Sequence, residues 1–200
     1  MNTSLEHMSL EDRASLRPAL LFAPIVLLGF GLAYSLAGAG LGRLAFPHQA
    51  TGSLVERGGH VVGSVLVAQP FDADRYFQSR PSAANYDPMA AAGSNAARSN
   101  PDLQKRVRDA VVAVAKRERI APSQVPDDLV TQSGSGTDPD LSPAAIDVQV
   151  ARVAHARGLE PAQVQALVAA HVQGPQLGLL GQPRVNVLEL NLALDALPAK

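Results

Sequence analysis

PALLFAPIVLLGFGLAYSLAGAGLG, from Pro18 to Gly42, holds no charged side chain over 25 residues, and Arg17 and Arg43 mark its ends. A helix needs about 20 mostly apolar residues to cross a hydrocarbon core of roughly 30 Å. Lipid offers backbone groups no partner, so a retained run of this kind must be helical. The reading is one membrane anchor over residues 17–43, preceded by a short polar tail, 1–16, and followed by one domain, 44–200. A cleavable signal peptide competes with it. Arg13 and Arg17 make a basic start, and Ala37-Gly38-Ala39 has the small-x-small form of a cleavage site. The uncharged run exceeds the roughly 7–15 residues of a signal's apolar segment, which favours the anchor.

Two arginines precede the run, Arg13 and Arg17, and two follow it, Arg43 and Arg57. The positive-inside rule therefore does not choose an orientation, while a long domain is exported largely regardless of its charge. The preferred topology puts the N-terminus in the cytoplasm and the domain outside. The whole chain balances 17 basic against 18 acidic residues without a basic block. That argues against a nucleic-acid surface, which needs clustered cations to displace counterions. It has no Trp and few aromatics, so a base-stacking platform is also disfavoured. The absence of cysteine is compatible with an oxidising compartment without requiring one.

Beyond the anchor, SLVERGGHVVGSVLVAQ (Ser53–Gln69) places β-branched runs on both sides of Gly58-Gly59. Such a pair supplies the two positive-φ positions of a type I′ turn, so strands are expected near 53–56 and 60–68. Residues 70–101 are rich in Pro, Gly, Ser, Asn and Ala and read as a long irregular segment. Asn100-Pro101 opens a helix. Its apolar face is Leu103, Val107, Val111 and Val114, with Lys105, Arg106, Arg108 and Asp109 opposite. A second loop, Pro122–Ser142, contains SGSGTDPD. Ser142 then caps a helix with a stripe of Ile146, Val150 and Val153, stopped by Gly158. Pro161 opens another, with Val164, Leu167, Val168 and Val172 on the buried side, so the two form an αα-hairpin. In the tail, Leu188, Leu190, Leu192 and Leu194 alternate like a strand, yet Leu, Glu and Ala favour helix. The state of 185–197 stays open, but either form is core.

Reactive constellations are scarce. Histidines 7, 48, 60, 155 and 171 lack the spacing of a metal pair, and His155 and His171 read as surface or boundary positions. Asp138 and Asp140 read as solvated loop carboxylates. Ser133-Gly134-Ser135-Gly136 has the composition of a phosphate cradle, but no Walker A lysine follows it. From spacing alone a flexible turn is the better reading. No G-x-S-x-G elbow is present. No catalytic residue and no metal ligand is assigned. In the anchor, Gly29, Ala33 and Ala37, with Gly38 and Gly42, put small residues on one face, a hint of a membrane partner.

The exact residues carry more than the composition. Arg17-Pro18-Ala19, Gln49-Ala50-x-Gly52-Ser53-Leu54, Tyr76-Phe77-x-x-Arg80-Pro81-Ser82, Gly93-Ser94-Asn95 and Ser99-Asn100-Pro101 come in order. Leu129-Val130-Thr131-x-Ser133-Gly134-Ser135-Gly136 and Gln149-Val150-x-Arg152-Val153-Ala154-x-Ala156-Arg157 follow. Gly181-Gln182-Pro183-x-Val185-Asn186 and Leu190-Asn191-Leu192-Ala193-Leu194-Asp195 close the series. In these blocks the chain resembles the C-subunit family of the Kdp potassium-transporting ATPase. It departs at Thr137, where Leu is usual, at Ala151, where Pro is frequent, and around Arg98; these positions bear on loop shape.

The resemblance implies an α+β fold: one N-terminal transmembrane helix followed by a single mixed α/β extracytoplasmic domain, in the cell inner membrane. It implies a non-catalytic accessory subunit of an ATP-driven, high-affinity potassium uptake pump. The partners are a channel-like potassium-translocating subunit and a P-type ATPase subunit, with potassium as the transported ion. It further implies stabilisation of the complex and support of ATP binding by the ATPase subunit. Ser133, Gly134, Ser135, Gly136 and Gln149 are then the nucleotide-affinity candidates. ATP is cytoplasmic, however, and a domain outside the membrane cannot touch it, so a membrane-anchored periplasmic assembly or binding module without direct nucleotide contact stands as the alternative. A secreted hydrolase released after Ala39 is the third reading, with no triad or metal set behind it.

Overall fold

The computed structural model describes residues 16–197, in two units that meet in sequence between Thr51 and Gly52. Residues 1–15 of the expected polar tail lie outside the described residues. In the first unit, α1 (Leu16–Val26) runs through a π-helical turn, residues 27–33, into α2 (Tyr34–Ala45). Pro24 lies inside α1 and offers no N–H to the preceding turn. In the π turn, Tyr34 N–H reaches Gly29 O five residues back. The apolar helix Pro18–Ala45 has 28 residues, long enough to cross a membrane, since at 1.5 Å per residue it spans about 40 Å. A short helix, α3 (Pro47–Ala50), ends the unit.

The second unit opens with a hairpin of β1 (Leu54–Arg57) and β2 (His60–Ser64), turned by Gly58 and Gly59 at φ 59° and 80°. Arg57 faces His60 across that turn, and a register shift lies between Val55 and Glu56. The second strand is shorter than the composition implies. Val67 N–H bonds back to Ser64 O, and Leu66 N–H donates to the Ser64 hydroxyl oxygen, so the chain turns at 64–67. Residues 70–100 are irregular apart from a 3₁₀ turn at Pro88–Ala90. Asn100 caps α4 (Pro101–Glu118), its side chain accepting from Asp102 N–H and Leu103 N–H. Val114, Ala115 and Glu118 are buried, whereas Leu103, Val107 and Val111 are half-buried.

β3 (Asp140–Leu141) leads into α5 (Pro143–Asp147), capped by Ser142. The expected single helix is divided: Gln149 N–H bonds Ile146 O over three residues before α6 (Val150–Arg157) begins. Gly158 ends α6 at φ 64°. α7 (Pro161–His171) packs on α6, burying Val164 and Val168. Val172 lies past the helix end and is exposed, not buried. β4 (Val185–Asn186) pairs antiparallel with β3, Leu141 opposite Val185, and α8 (Val187–Ala196) follows.

The tail is therefore helical. Val187, Leu190, Asn191 and Leu194 are buried at spacings of three and four, and the polar Asn191 hides that stripe from an apolar count. The core joins Phe77, Ile146, Val153, Val164, Leu190 and Leu194, all with almost no exposure. The domain is mixed helix and sheet, with helices dominant and two two-stranded sheets among the described residues.

Candidate functional site

Residues 74–78 pass through the domain with neither helix nor strand to satisfy their backbone. Buried peptide groups need partners, and here side chains from α6, its N-cap and α8 supply them. Arg152 Nη1 donates to Asp74 O at 2.6 Å and to Tyr76 O at 2.9 Å. Arg157 Nε donates to Arg75 O at 2.7 Å. Asn191 takes Phe77 N–H on its Oδ1 and gives Nδ2–H to Phe77 O, both at 2.9 Å. Gln149 treats Gln78 the same way, accepting its N–H at 2.9 Å and donating to its carbonyl at 3.3 Å. Four polar side chains thus act as a substitute strand, and Phe77 is driven into the core.

An ion-pair network fixes the clamp. Glu118, with its side chain buried, accepts from Arg152 Nε on both oxygens at 3.1 and 3.0 Å, and from Arg117 Nε at 2.5 Å. Arg117 also donates to Gln78 Oε1, and Arg152 Nη2 to Gln149 Oε1 at 2.8 Å. A second network centres on Asp195. It accepts from Arg157 Nη2 at 2.8 Å, Tyr76 hydroxyl at 3.0 Å and Arg57 Nη1 at 3.3 Å. The Arg157 guanidinium also lies 5.0 Å from the centroid of the Tyr76 ring. Burial alone would raise the Asp195 carboxyl. The hydrogen bonds from Arg157 and Tyr76, with the Arg157 and Arg57 charges, outweigh it and hold the group below its ordinary value.

The Ser-Gly-Ser-Gly segment lies against a later part of the same irregular stretch. Ser133 is buried, and its hydroxyl accepts Gly136 N–H at 2.6 Å. Ser82 donates to Gly136 O at 2.5 Å, and its oxygen accepts Ala84 N–H and Tyr86 N–H. Gly136 sits at φ 73°, and a Cβ there would lie 2.6 Å from Ala92 O; one on Gly93 would meet Gly134 O at 2.8 Å. The segment is thus a braced turn, tighter than its composition implies. Asp138 and Asp140 are paired rather than simply solvated, with Arg80 at 2.8 Å and Arg184 at 3.0 Å. Burial pushes the Asp140 carboxyl above its ordinary value, with Asp138 and Glu189 adding to the rise against Arg184 and Asn186.

The sequence candidates therefore fall into two places. Gln149 belongs to the clamp on 74–78, and Ser133–Gly136 to the brace on 82–93. Gln149 is fully buried, and its amide uses both lone-pair directions and both N–H groups: Oε1 accepts from Gln78 and Arg152, Nε2 donates to Gln78 O and Ala145 O. Sequence reasoning missed Glu118, hidden in the charged run Lys116–Arg119, and gave no role to Asn191 or Asp195. Apart from Arg117 beside Glu118, their partners lie 34 to 138 residues away, so no local spacing signals them. Beside the clamp opens a groove of about 800 Å³, with Lys116, Arg119, His155 and Asp147 on its walls. Among the described residues no three His, Cys, Asp or Glu side chains gather as metal ligands.

Comparison with known proteins places this arrangement. A family model described as K+-transporting ATPase, c chain, matches residues 16–196. A "Potassium-transporting ATPase KdpC subunit" from Xanthomonas oryzae pv. oryzae is 60% identical over 188 residues, covering 94% of this chain and 90% of the relative. Its namesake from Sorangium cellulosum is 53% identical over 186 residues, covering 91% and 97%. That from Shewanella putrefaciens is 48% identical over 193 residues, covering 96% and 93%. The match takes in the apolar helix as well as the clamp residues Gln149, Arg152, Arg157 and Asn191, and the chain belongs to the KdpC family, the c chains of the K+-transporting ATPase.

Proposed function

We propose that this chain is the accessory C subunit of an ATP-driven potassium uptake pump, partnered by a potassium-translocating subunit and a P-type ATPase subunit. The observation that carries the reading is the match over residues 16–196, which includes anchor and domain together. The helix holds the subunit in the inner membrane, and the domain lies outside, where it stabilises the complex. Phosphoryl transfer belongs to the ATPase subunit. Support of ATP binding travels through subunit contacts, without this domain touching nucleotide. Two features favour that indirect route: the Gln149 amide is consumed by Gln78, Arg152 and Ala145, and Gly136 is covered by Ala84 and Ala92. In this reading Ser133–Gly136 and Gln149 affect nucleotide affinity by holding the domain's shape.

The test uses the chain's lack of cysteine. Met89→Cys, at a fully exposed position, is expressed with the other two subunits in cells and treated with a membrane-impermeant maleimide. Labelling of intact cells together with co-purification of all three subunits is the expected result. Labelling only after permeabilisation overturns the external placement, and failure to co-purify overturns the subunit assignment.

A further inference from the structure

Between Val172 and Pro183 the chain carries no charge and no aromatic side chain, and it forms a hairpin at the domain surface. Gln173 and Arg184 exchange both backbone bonds, at 2.8 and 2.9 Å, and Gln176 and Leu180 do the same at 2.8 and 2.9 Å. Gly178 N–H and Leu179 N–H are taken by Pro175 O and Gln176 O. The tip is thus internally satisfied, and its base continues into fully buried Val185. On it stand Leu177, Leu179 and Leu180, exposed to 90%, 86% and 61%. Leu177 is held at φ 54°, a conformation disfavoured for this residue type. An apolar, hydrogen-bonded and strained element that none of the described residues covers marks an interaction site.

We infer that this leucine tip docks into an uncharged apolar recess on an integral-membrane protein subunit of the same complex, an inference that rests on the function proposed above. Three considerations select that occupant. Three leucines bury far less than the roughly 800 Å² per partner that a stable free-standing interface needs. The tip alone would therefore hold neither a soluble partner nor a second copy. A partner in the same membrane is different: the anchor joins the domain through six residues, 46–51, and tethering gives an effective concentration on the order of millimolar. Lipid is the poorer occupant, because surface-inserting segments set Lys and Arg beside their apolar residues and anchor at the interface through Trp or Tyr. Here the run has neither, and Arg184 at its base is spent on Asp140.

The test is co-purification of the complete complex from membranes with the double variant L177D/L179D, in which Asp suits the left-handed position at least as well as Leu. Recovery of the partner subunits is expected to fall at least tenfold, with the variant chain still in the membrane fraction and its melting temperature unchanged. Full recovery overturns the inference. Failure of the unaltered chain to recover its partners would instead sink the subunit assignment. Should the double variant not fold, Leu179→Cys carrying an environment-sensitive dye decides the matter. A blue shift only in the assembled complex, without quenching by brominated lipid, supports protein docking. Quenching by brominated lipid in vesicles holding the chain alone overturns it in favour of the bilayer, and no shift overturns it outright.

Discussion

Asn191 closes both polar groups of Phe77: its Oδ1 accepts the Phe77 N–H and its Nδ2 donates to the Phe77 carbonyl, each at 2.9 Å and each buried. One side chain on α8 thereby does for an irregular segment 114 residues away what a neighbouring strand does in a sheet. Replacing Asn191 with Leu leaves two buried backbone groups without partners. The expected loss is about 2–6 kcal/mol, at ~1–3 kcal/mol per orphaned group. Urea unfolding of the full chain in detergent measures it, and a loss below ~1 kcal/mol would mean that water replaces the amide.

Glu118 makes the second prediction. Its buried carboxylate pairs with both Arg152 and Arg117, so Glu118→Ala leaves Arg152 buried and uncompensated. The expected cost is about 3–5 kcal/mol. The exposed pair Lys105–Asp109, at 2.7 Å on α4, is the control, since a surface i,i+4 pair contributes about 0.3–0.5 kcal/mol. Equal effects of Glu118→Ala and Lys105→Ala in thermal melts would refute the network's importance.

Asp195 links stability to pH. Its folded-state value is depressed, so the unfolded chain binds its proton first as pH falls. The contribution is fully present above the ordinary aspartate range, near pH 3.9, and is lost as pH drops through the lower folded value. The stability difference between the unaltered chain and Asp195→Asn should therefore shrink on acidification from neutral pH. A constant difference across that range would show that the Asp195 charge is not what Arg157 and Tyr76 hold.

Gly136 and Gly134 separate shape from contact in the Ser-Gly-Ser-Gly turn. Gly136→Ala combines a positive φ with a Cβ 2.6 Å from Ala92 O, and should cost about 2–3 kcal/mol. Gly134→Ala meets nothing within 4 Å and should leave the melting temperature of the chain unchanged. In the assembled pump, ATP affinity should follow stability, falling with Gly136→Ala and holding with Gly134→Ala. A drop in ATP affinity with Gly134→Ala at unchanged stability would point to direct nucleotide contact.

Local chemistry explains what the sequence disclosed. The Gly58-Gly59 turn, the caps at Asn100 and Ser142, the stop at Gly158 and the starts at Pro101 and Pro161 are decided within a few residues. Each stands in the structure where its residues place it. The tail resisted because Asn191 fills a core position of α8 with a polar side chain, which breaks the apolar period. The candidate site was legible only as residue identities: Gln149 could be picked out, but not the peptide group it holds.

From the sequence alone came the 25-residue uncharged run, the family-specific blocks, the helix starts at Pro101, Pro143 and Pro161 and the stop at Gly158, because each depends on neighbours along the chain. Tertiary structure decided that Gln149, Arg152, Arg157 and Asn191 converge on 74–78. It also decided that Glu118 is buried between two arginines and that Leu177 and Leu179 stand exposed. The physical reason is burial. An irregular segment taken out of water must find partners for every peptide group, and those partners are set by where distant helices pack.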